Sequence, residues 1–275
     1  MTWHQEGGIQ IPNPNGRKGR EIRRLIVLIC LLLDGCFAWA GPPFVTDDPE
    51  TPAWHGWEIN IPFTLESTPP ALVLEAPLCD LNYGFQPNVQ LKAEFPLLYV
   101  HPSEGSPQLG LGDTLVGVKW RFLEERERSP QLGVYPQIHL PTGNGRRGLG
   151  EGQPSYILPL VAQKSWDKFT LYGDIGYVVQ TRKGTRDFWY QGAVLMYELS
   201  DGLELGGELF GNSAEEAGGD WALAFNLGGQ WTIREGYNLL FAAGHSLAGE
   251  STTAVYLGLQ ILTGILKKRG SANGQ

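Results

Sequence analysis

From Trp57 onward, hydrophobic residues recur at every second position over long stretches. Trp57, Ile59, Ile61, Phe63 and Leu65 alternate with Glu58, Asn60, Pro62, Thr64 and Glu66. Val89, Leu91, Ala93, Phe95 and Leu97 alternate with Gln90, Lys92, Glu94 and Pro96. The same period returns at Leu132–Leu140, Trp221–Leu227 and Val255–Ile261. Successive side chains on a strand point to opposite faces, so each segment carries one greasy face and one polar or small face. Two architectures give this pattern. A sandwich or soluble barrel turns the greasy face inward. A membrane barrel turns it outward to lipid and keeps a polar lumen.

Strand length and connection length favour the second. Soluble strands average about five or six residues, whereas these segments run for nine to thirteen, near the 9–11 or so that a tilted strand needs to cross a bilayer. Strands are expected near 56–66, 73–85, 89–100, 113–123, 130–140, 154–166, 169–180, 188–199, 202–211, 220–232, 237–248 and 252–262. Every second link is short (Gln86 to Asn88, Glu124 to Ser129, Asp167-Lys168, Ser200 to Gly202, Ile233 to Gly236), and Asp201-Gly202 is a tight-turn signal. The interleaved links His101 to Gly112, Pro141 to Gln153, Thr181 to Asp187 and Asn212 to Gly219 are longer, although Gly249 to Ser251 is short. Short turns at one rim and long loops at the other characterise outer-membrane barrels. The expected fold is an all-β transmembrane antiparallel up-and-down β-barrel of about 12 strands, with 10–14 as the range. Segments 154–166 and 188–199 alternate poorly, which leaves their facing open.

The N-terminus supports export. Arg17, Lys18, Arg20, Arg23 and Arg24 precede the apolar run Leu25–Leu33, and Ala38-Trp39-Ala40 follows it, as in a secretory signal peptide. The expected organisation is an N-terminal extension and signal peptide over 1–40, a periplasmic segment over 41–53, the barrel over 54–262 and a tail over 263–275. Leu33 to Cys36 weakly resembles a lipoprotein acylation box. Cleavage after Ala40 would leave 16 basic and 26 acidic residues, a net charge of −10. That balance argues against nucleic acid, whose phosphates need a basic face. Of the three cysteines only Cys79 would remain, so an intramolecular disulfide is excluded.

Several short motifs occur in order: Gly41-Pro-Pro-Phe-Val-Thr-Asp-Asp-Pro-Glu50, Asn82-Tyr-Gly-Phe-Gln-Pro-Asn88, Gly110-Leu-Gly-Asp113, Gly117-Val-Lys-Trp120 and Leu140-Pro-Thr-Gly143. In order and spacing, over roughly residues 41–262, the chain resembles the outer-membrane β-barrel transporter-like family labelled with the meta-pathway of phenol degradation. The resemblance implies uptake of small molecules, aromatic or hydrophobic ones among them, across the cell outer membrane. It carries no catalytic motif. The chain departs from the usual barrel ending, because Thr263–Gln275, with Lys267-Lys268-Arg269, follows the last strand instead of a terminal aromatic residue.

The polar faces nominate Glu58, Lys92, Glu94, Lys119, Arg121, His139, Asp174, Glu204 and Glu208 as lumen-facing. Such groups either set the charge selectivity of a channel or pair across a narrow interior. Pairing is favoured for most of them, and Glu204 and Glu208 against Lys119 and Arg121 suggest a polar constriction. No enzyme is expected. His245 and Ser246 are neighbours on a strand and point apart, the five histidines lack paired ligand spacing, and Gly143–Gly152 lacks the Lys-Ser/Thr ending of a phosphate loop. Catalytic, cofactor and metal residues are therefore expected to be none. Expected partners are outer-membrane lipid, lipopolysaccharide (through Arg146 and Arg147), the barrel-assembly machinery and an unknown small solute. The alternatives are a structural outer-membrane barrel with a plugged lumen and no flux, and a soluble periplasmic β-protein.

Overall fold

Each alternating segment pairs with its neighbours in sequence, and the last pairs with the first. In the computed structural model, which describes residues 43–216 and 218–264, twelve antiparallel strands close on themselves. They are β1 (Trp57–Ser67), β2 (Ala71–Gln86), β3 (Val89–Pro102), β4 in two parts (Gln108–Leu111 and Thr114–Leu123), β5 in two parts (Gln131–Val134 and Gln137–Leu140) and β6 (Ser155–Trp166). The remaining six are β7 (Phe169–Gln180), β8 (Phe188–Ser200), β9 (Leu203–Asn212), β10 (Ala222–Arg234), β11 (Tyr237–Ala248) and β12 (Thr253–Leu262). Neighbours in sequence pair throughout, and β1 zips to β12 from Glu58↔Leu262 to Ser67↔Thr253. Closure leaves no open sheet edge, a requirement for strands placed in lipid.

The two divided strands have local causes. Pro136 cannot donate to a ladder, and β5 is interrupted at Tyr135-Pro136, where Tyr135 N–H donates to the Pro159 carbonyl. In β4 the interruption falls at Gly112-Asp113, where the Asp113 carboxylate turns away to accept from the N–H groups of Gly143 (2.8 Å) and Glu151 (2.7 Å). One side chain thereby anchors both ends of the long loop between β5 and β6.

The greasy faces point outward. Leu158 is 55% exposed while Ile157 beside it is 1% exposed, and Leu195 is 50% exposed beside fully buried Val194. These pairs settle the two segments whose alternation is poor. Both faces there are apolar, because the inner face also packs a hydrophobic cluster. Leu209, Leu227, Phe63, Ile175 and Leu257 are likewise exposed around the ring. A continuous apolar belt of this kind suits acyl chains and removes the soluble alternative. Aromatic pairs mark both rims. Trp57 stacks near Tyr83 (4.8 Å) and Phe169 near Tyr197 (4.9 Å) at the short-turn rim, and Tyr177 lies near Trp189 (4.8 Å) at the long-loop rim.

The signal-peptide reading over 1–40, Cys36 and the basic end of the tail lie outside the described residues. At the near end of the tail, Thr263 ties back to β1, its N–H donating to the Trp57 carbonyl at 2.8 Å.

The short turns set the register. Gly202 (φ 82°) and Gly236 (φ 79°) take the left-handed conformation in the β8–β9 and β10–β11 turns. A β-branched side chain at such a position costs about 1–2 kcal/mol. Gly202→Val should therefore lower the thermal midpoint of the folded, heat-modifiable band on cold SDS gels, while Thr170→Val, on a strand, should leave it near wild type.

Candidate functional site

The interior is not an empty polar tube. Residues 43–52, expected outside the barrel as part of a periplasmic segment, run inside the ring of strands as an inner strap. At its deep end Phe44, fully buried, packs with Val194 and Met196 of β8, Leu240 and Ala242 of β11 and Tyr256 of β12. The strap's free amides are captured by wall carboxylates. Glu208 accepts from Val45 N–H (3.2 Å) and Thr46 N–H (2.5 Å), and Asn226 steadies the same carboxylate at 2.6 Å. Asp174 Oδ2 accepts from Asp47 N–H at 3.1 Å. The strap's own acids reach the opposite wall. Lys119 Nζ lies 2.8 Å from Asp47 Oδ1, and Arg121 lies 3.1 Å from Glu50. Glu50 also accepts from Gln131 (3.2 Å) and Gln163 (3.1 Å).

The wall is shaped for this passage. A Cβ on Gly192 would collide with the Thr46 hydroxyl, and one on Gly206 would meet Met196 and stand 3.4 Å from the Phe44 ring. Tyr135, fully buried, lies beneath Lys119, with the ammonium 4.7 Å from the ring centroid. That contact and Asp47 together offset the desolvation of a buried cation.

The nine nominated residues divide into groups. Lys92 bridges Asp80 (3.6 Å) and Glu94 (2.5 Å) on the β2–β3 wall. Glu58 accepts from Asn60 (3.0 Å) and Gln260 (3.1 Å). Lys119, Arg121, Asp174 and Glu208 hold the strap. Half-buried His139 lines the space above it, and Glu204 is half-buried on the row of Glu208. Glu208 and the Lys119–Arg121 pair do not meet across an open lumen. The strap stands between them and bonds to both.

Sequence reasoning missed Phe44, Asp47, Glu50, Asp80 and Tyr135. A signal was present in Asp47-Asp48-Pro49-Glu50, a run of acids between prolines that is not a strand and adjoins a lone aromatic. Arg147, in the loop between β5 and β6, reaches the first part of β4, donating to Gln108 Oε1 (2.8 Å) and the Leu109 carbonyl (3.2 Å). Among the described residues no three His, Cys, Asp or Glu side chains converge as a metal site.

Two cavities open on the long-loop side of the strap, of about 80 and 400 Å³, and Val45, Glu94, Leu115 and His139 stand in the walls of both. Much of the remaining wall is apolar, with Leu115, Ile157, Val178 and Phe188 forming one packed cluster. At the mouth, burial and then the neighbouring Glu151 and Glu216 push the Glu215 carboxyl up to about 7.

A family model described as "Putative MetA-pathway of phenol degradation" matches residues 59–262. The chain belongs to this family. Among solved structures it is similar to an outer membrane channel from Pseudomonas putida F1, at 16% identity and a TM-score of 0.64, over 81% of this chain and 99% of that one. It is also similar to the NanC porin (8% identity, TM-score 0.54, 74% of this chain and 98% of that one). A KdgM porin solved in complex with disordered oligogalacturonate matches at 9% identity and a TM-score of 0.52, over 74% and 98% of the two chains. These likenesses show the fold, a closed antiparallel β-barrel like those of the outer membrane proteins it resembles. No curated protein sequence matches the chain.

Unseating the strap is testable. In a Cys30→Ser, Cys36→Ser, Cys79→Ser background, a cysteine at Thr46 should resist a hydrophilic maleimide in the folded protein. Phe44→Ala, which removes about 3–5 kcal/mol of buried aromatic packing, or Gly192→Val should make the same cysteine react at least tenfold faster.

Proposed function

We propose that this barrel is a passive, non-enzymatic outer-membrane channel for small molecules with an apolar or aromatic body. The observation that carries the reading is the pair of apolar-walled cavities sharing a wall above the strap, open towards the long-loop rim. An apolar space with a few placed polar groups suits a small organic solute better than a hydrated ion. The likeness to outer membrane channels and porins supports the same class, and the family description is consistent with aromatic cargo. Export through the signal peptide of residues 1–40 belongs to this proposal.

A second reading, a structural barrel without flux, draws on the strap itself. Lys119, Arg121, Asp174 and Glu208 are all engaged by residues 45–50, so the strap fills the interior between opposite walls.

Flux separates the two. Full-length protein in liposomes should admit a small monoaromatic solute faster than protein-free vesicles. Phe44→Ala should raise both this rate and single-channel conductance in planar bilayers severalfold. Wild-type protein that admits nothing, with flux appearing only in the strap variant, would establish the plugged barrel instead.

A further inference from the structure

The strap's inner end abuts the larger cavity. Pro43, Phe44 and Val45 form part of its wall, and Pro43 is buried like Phe44 beside it. Forty-two residues precede Pro43 in the sequence, so the chain upstream of the strap starts from inside a closed ring of strands. A cavity of about 400 Å³ has room for on the order of a dozen waters. That is ample for two small residues and far too little for forty-two. Those forty-two include five basic residues between Arg17 and Arg24 and the apolar run Leu25–Leu33. A chain that keeps them must thread them on through the cavity or withdraw the strap.

Hydrolysis after Ala40 removes the conflict. One water adds across the Ala40–Gly41 peptide bond, leaving a carboxylate on Ala40 and an α-ammonium on Gly41, and only Gly41-Pro42 then precede Pro43. Extended, two residues reach about 7 Å. The wall within which they would lie is apolar at Leu78, Leu98, Val100 and Leu115. Among the described residues it carries no lysine or arginine, while Glu66, Glu75, Glu94, Asp113 and Glu151 all line it. Lys92, Arg182 and two loop amides serve Glu94, Glu151 and Asp113. Glu66 and Glu75 are diagonal neighbours on β1 and β2, set by the pairs Thr64↔Glu75 and Glu66↔Val73. They adjoin the Phe44 socket, because β1 also places Thr64 beside Tyr256, which packs on Phe44.

We propose that removal of residues 1–40 is what seats the strap: the new Gly41 α-ammonium docks in this cavity against the Glu66 and Glu75 carboxylates, Pro42 lies on the apolar wall, and together they hold Phe44 in place. An α-amino group is mostly protonated at neutral pH. Its hydrogen bond to a carboxylate is charge-assisted and roughly twice as strong as a neutral one. A chain still carrying its leader is therefore an unplugged barrel, and processing closes it. The inference rests on the export reading and adds to it the destination of the new terminus.

The test uses protein expressed with its leader and purified from outer membranes in detergent. Intact mass fixes the first residue, expected to be Gly41. A brief pulse of an amine-acylating succinimidyl ester at pH 7, read on the N-terminal peptide by mass spectrometry, should label the Gly41 amine at least tenfold more slowly in folded than in heat-denatured protein. Glu66→Gln combined with Glu75→Gln should raise folded-state labelling severalfold and speed maleimide reaction at Thr46→Cys in the cysteine-free background. Glu204→Gln, outside the cavity, should change neither. The unprocessed chain, refolded in detergent, should react at Thr46→Cys at least tenfold faster than the processed protein. Heat-modifiable migration verifies each fold, and if the double variant does not fold, Glu75→Gln alone and the unprocessed chain decide. A first residue other than Gly41, a Gly41 amine as reactive folded as denatured, or a strap equally protected with the leader attached overturns the inference and leaves export standing. Protein recovered unprocessed from the outer membrane defeats both.

Discussion

The Lys119 ammonium stands inside a ring of twelve strands, 2.8 Å from Asp47 of the inner strap and 4.7 Å above the Tyr135 ring. Removing one partner of a buried ion pair costs about 3–5 kcal/mol, because the other charge is then left desolvated and alone. The interior depends on that constraint. The wall carries acids at Glu208 and Asp174 on one side and bases at Lys119 and Arg121 on the other. Neither set reaches across, so the strap joins them with its own acids and its backbone amides. The barrel and residues 43–52 are one folded unit for electrostatic reasons as much as for packing.

The strap also explains how the interior divides. Its charged stretch, Asp47 to Glu50, occupies the half nearest the short turns, where glutamines and Arg121 meet it. Its apolar end, Phe44, packs with Val194, Met196, Leu240, Ala242 and Tyr256. Towards the long loops, Leu115, Ile157, Val178 and Phe188 form a second apolar cluster on the inner faces of β4, β6, β7 and β8. A solute entering from the long-loop rim would thus find apolar walls first and a charged floor beneath. Lipid-facing and lumen-facing surfaces are both greasy at these strands, for two separate reasons.

Much of the barrel was legible because its main signal is local. A period of two, Asp201-Gly202 and short links at alternate ends depend on residues adjacent in the chain, and the twelve expected segments fall on the twelve strands. In the two segments with weak alternation, 154–166 and 188–199, inward Ile157, Val161, Val194 and Met196 are as apolar as outward Leu158 and Leu195, so a periodicity argument had no contrast to work with. Glu58, Lys92, Lys119, Asp174 and Glu208 were legible as the polar member of each alternating pair. Their partners were not. Asp47 is 72 residues from Lys119, and Val45 is 163 residues from Glu208.

The sequence by itself determined the class of fold, the facing of most strands and the identity of the inward polar row, because strand geometry ties each side chain to its neighbours two positions away. Tertiary structure alone decided that residues 43–52 turn inward, that the charged rows meet through a strap, and that Asp174 and Glu215 share a cavity. Closing a ring brings together residues from strands far apart in the chain, and no local pattern encodes which walls face each other or how much room is left between them.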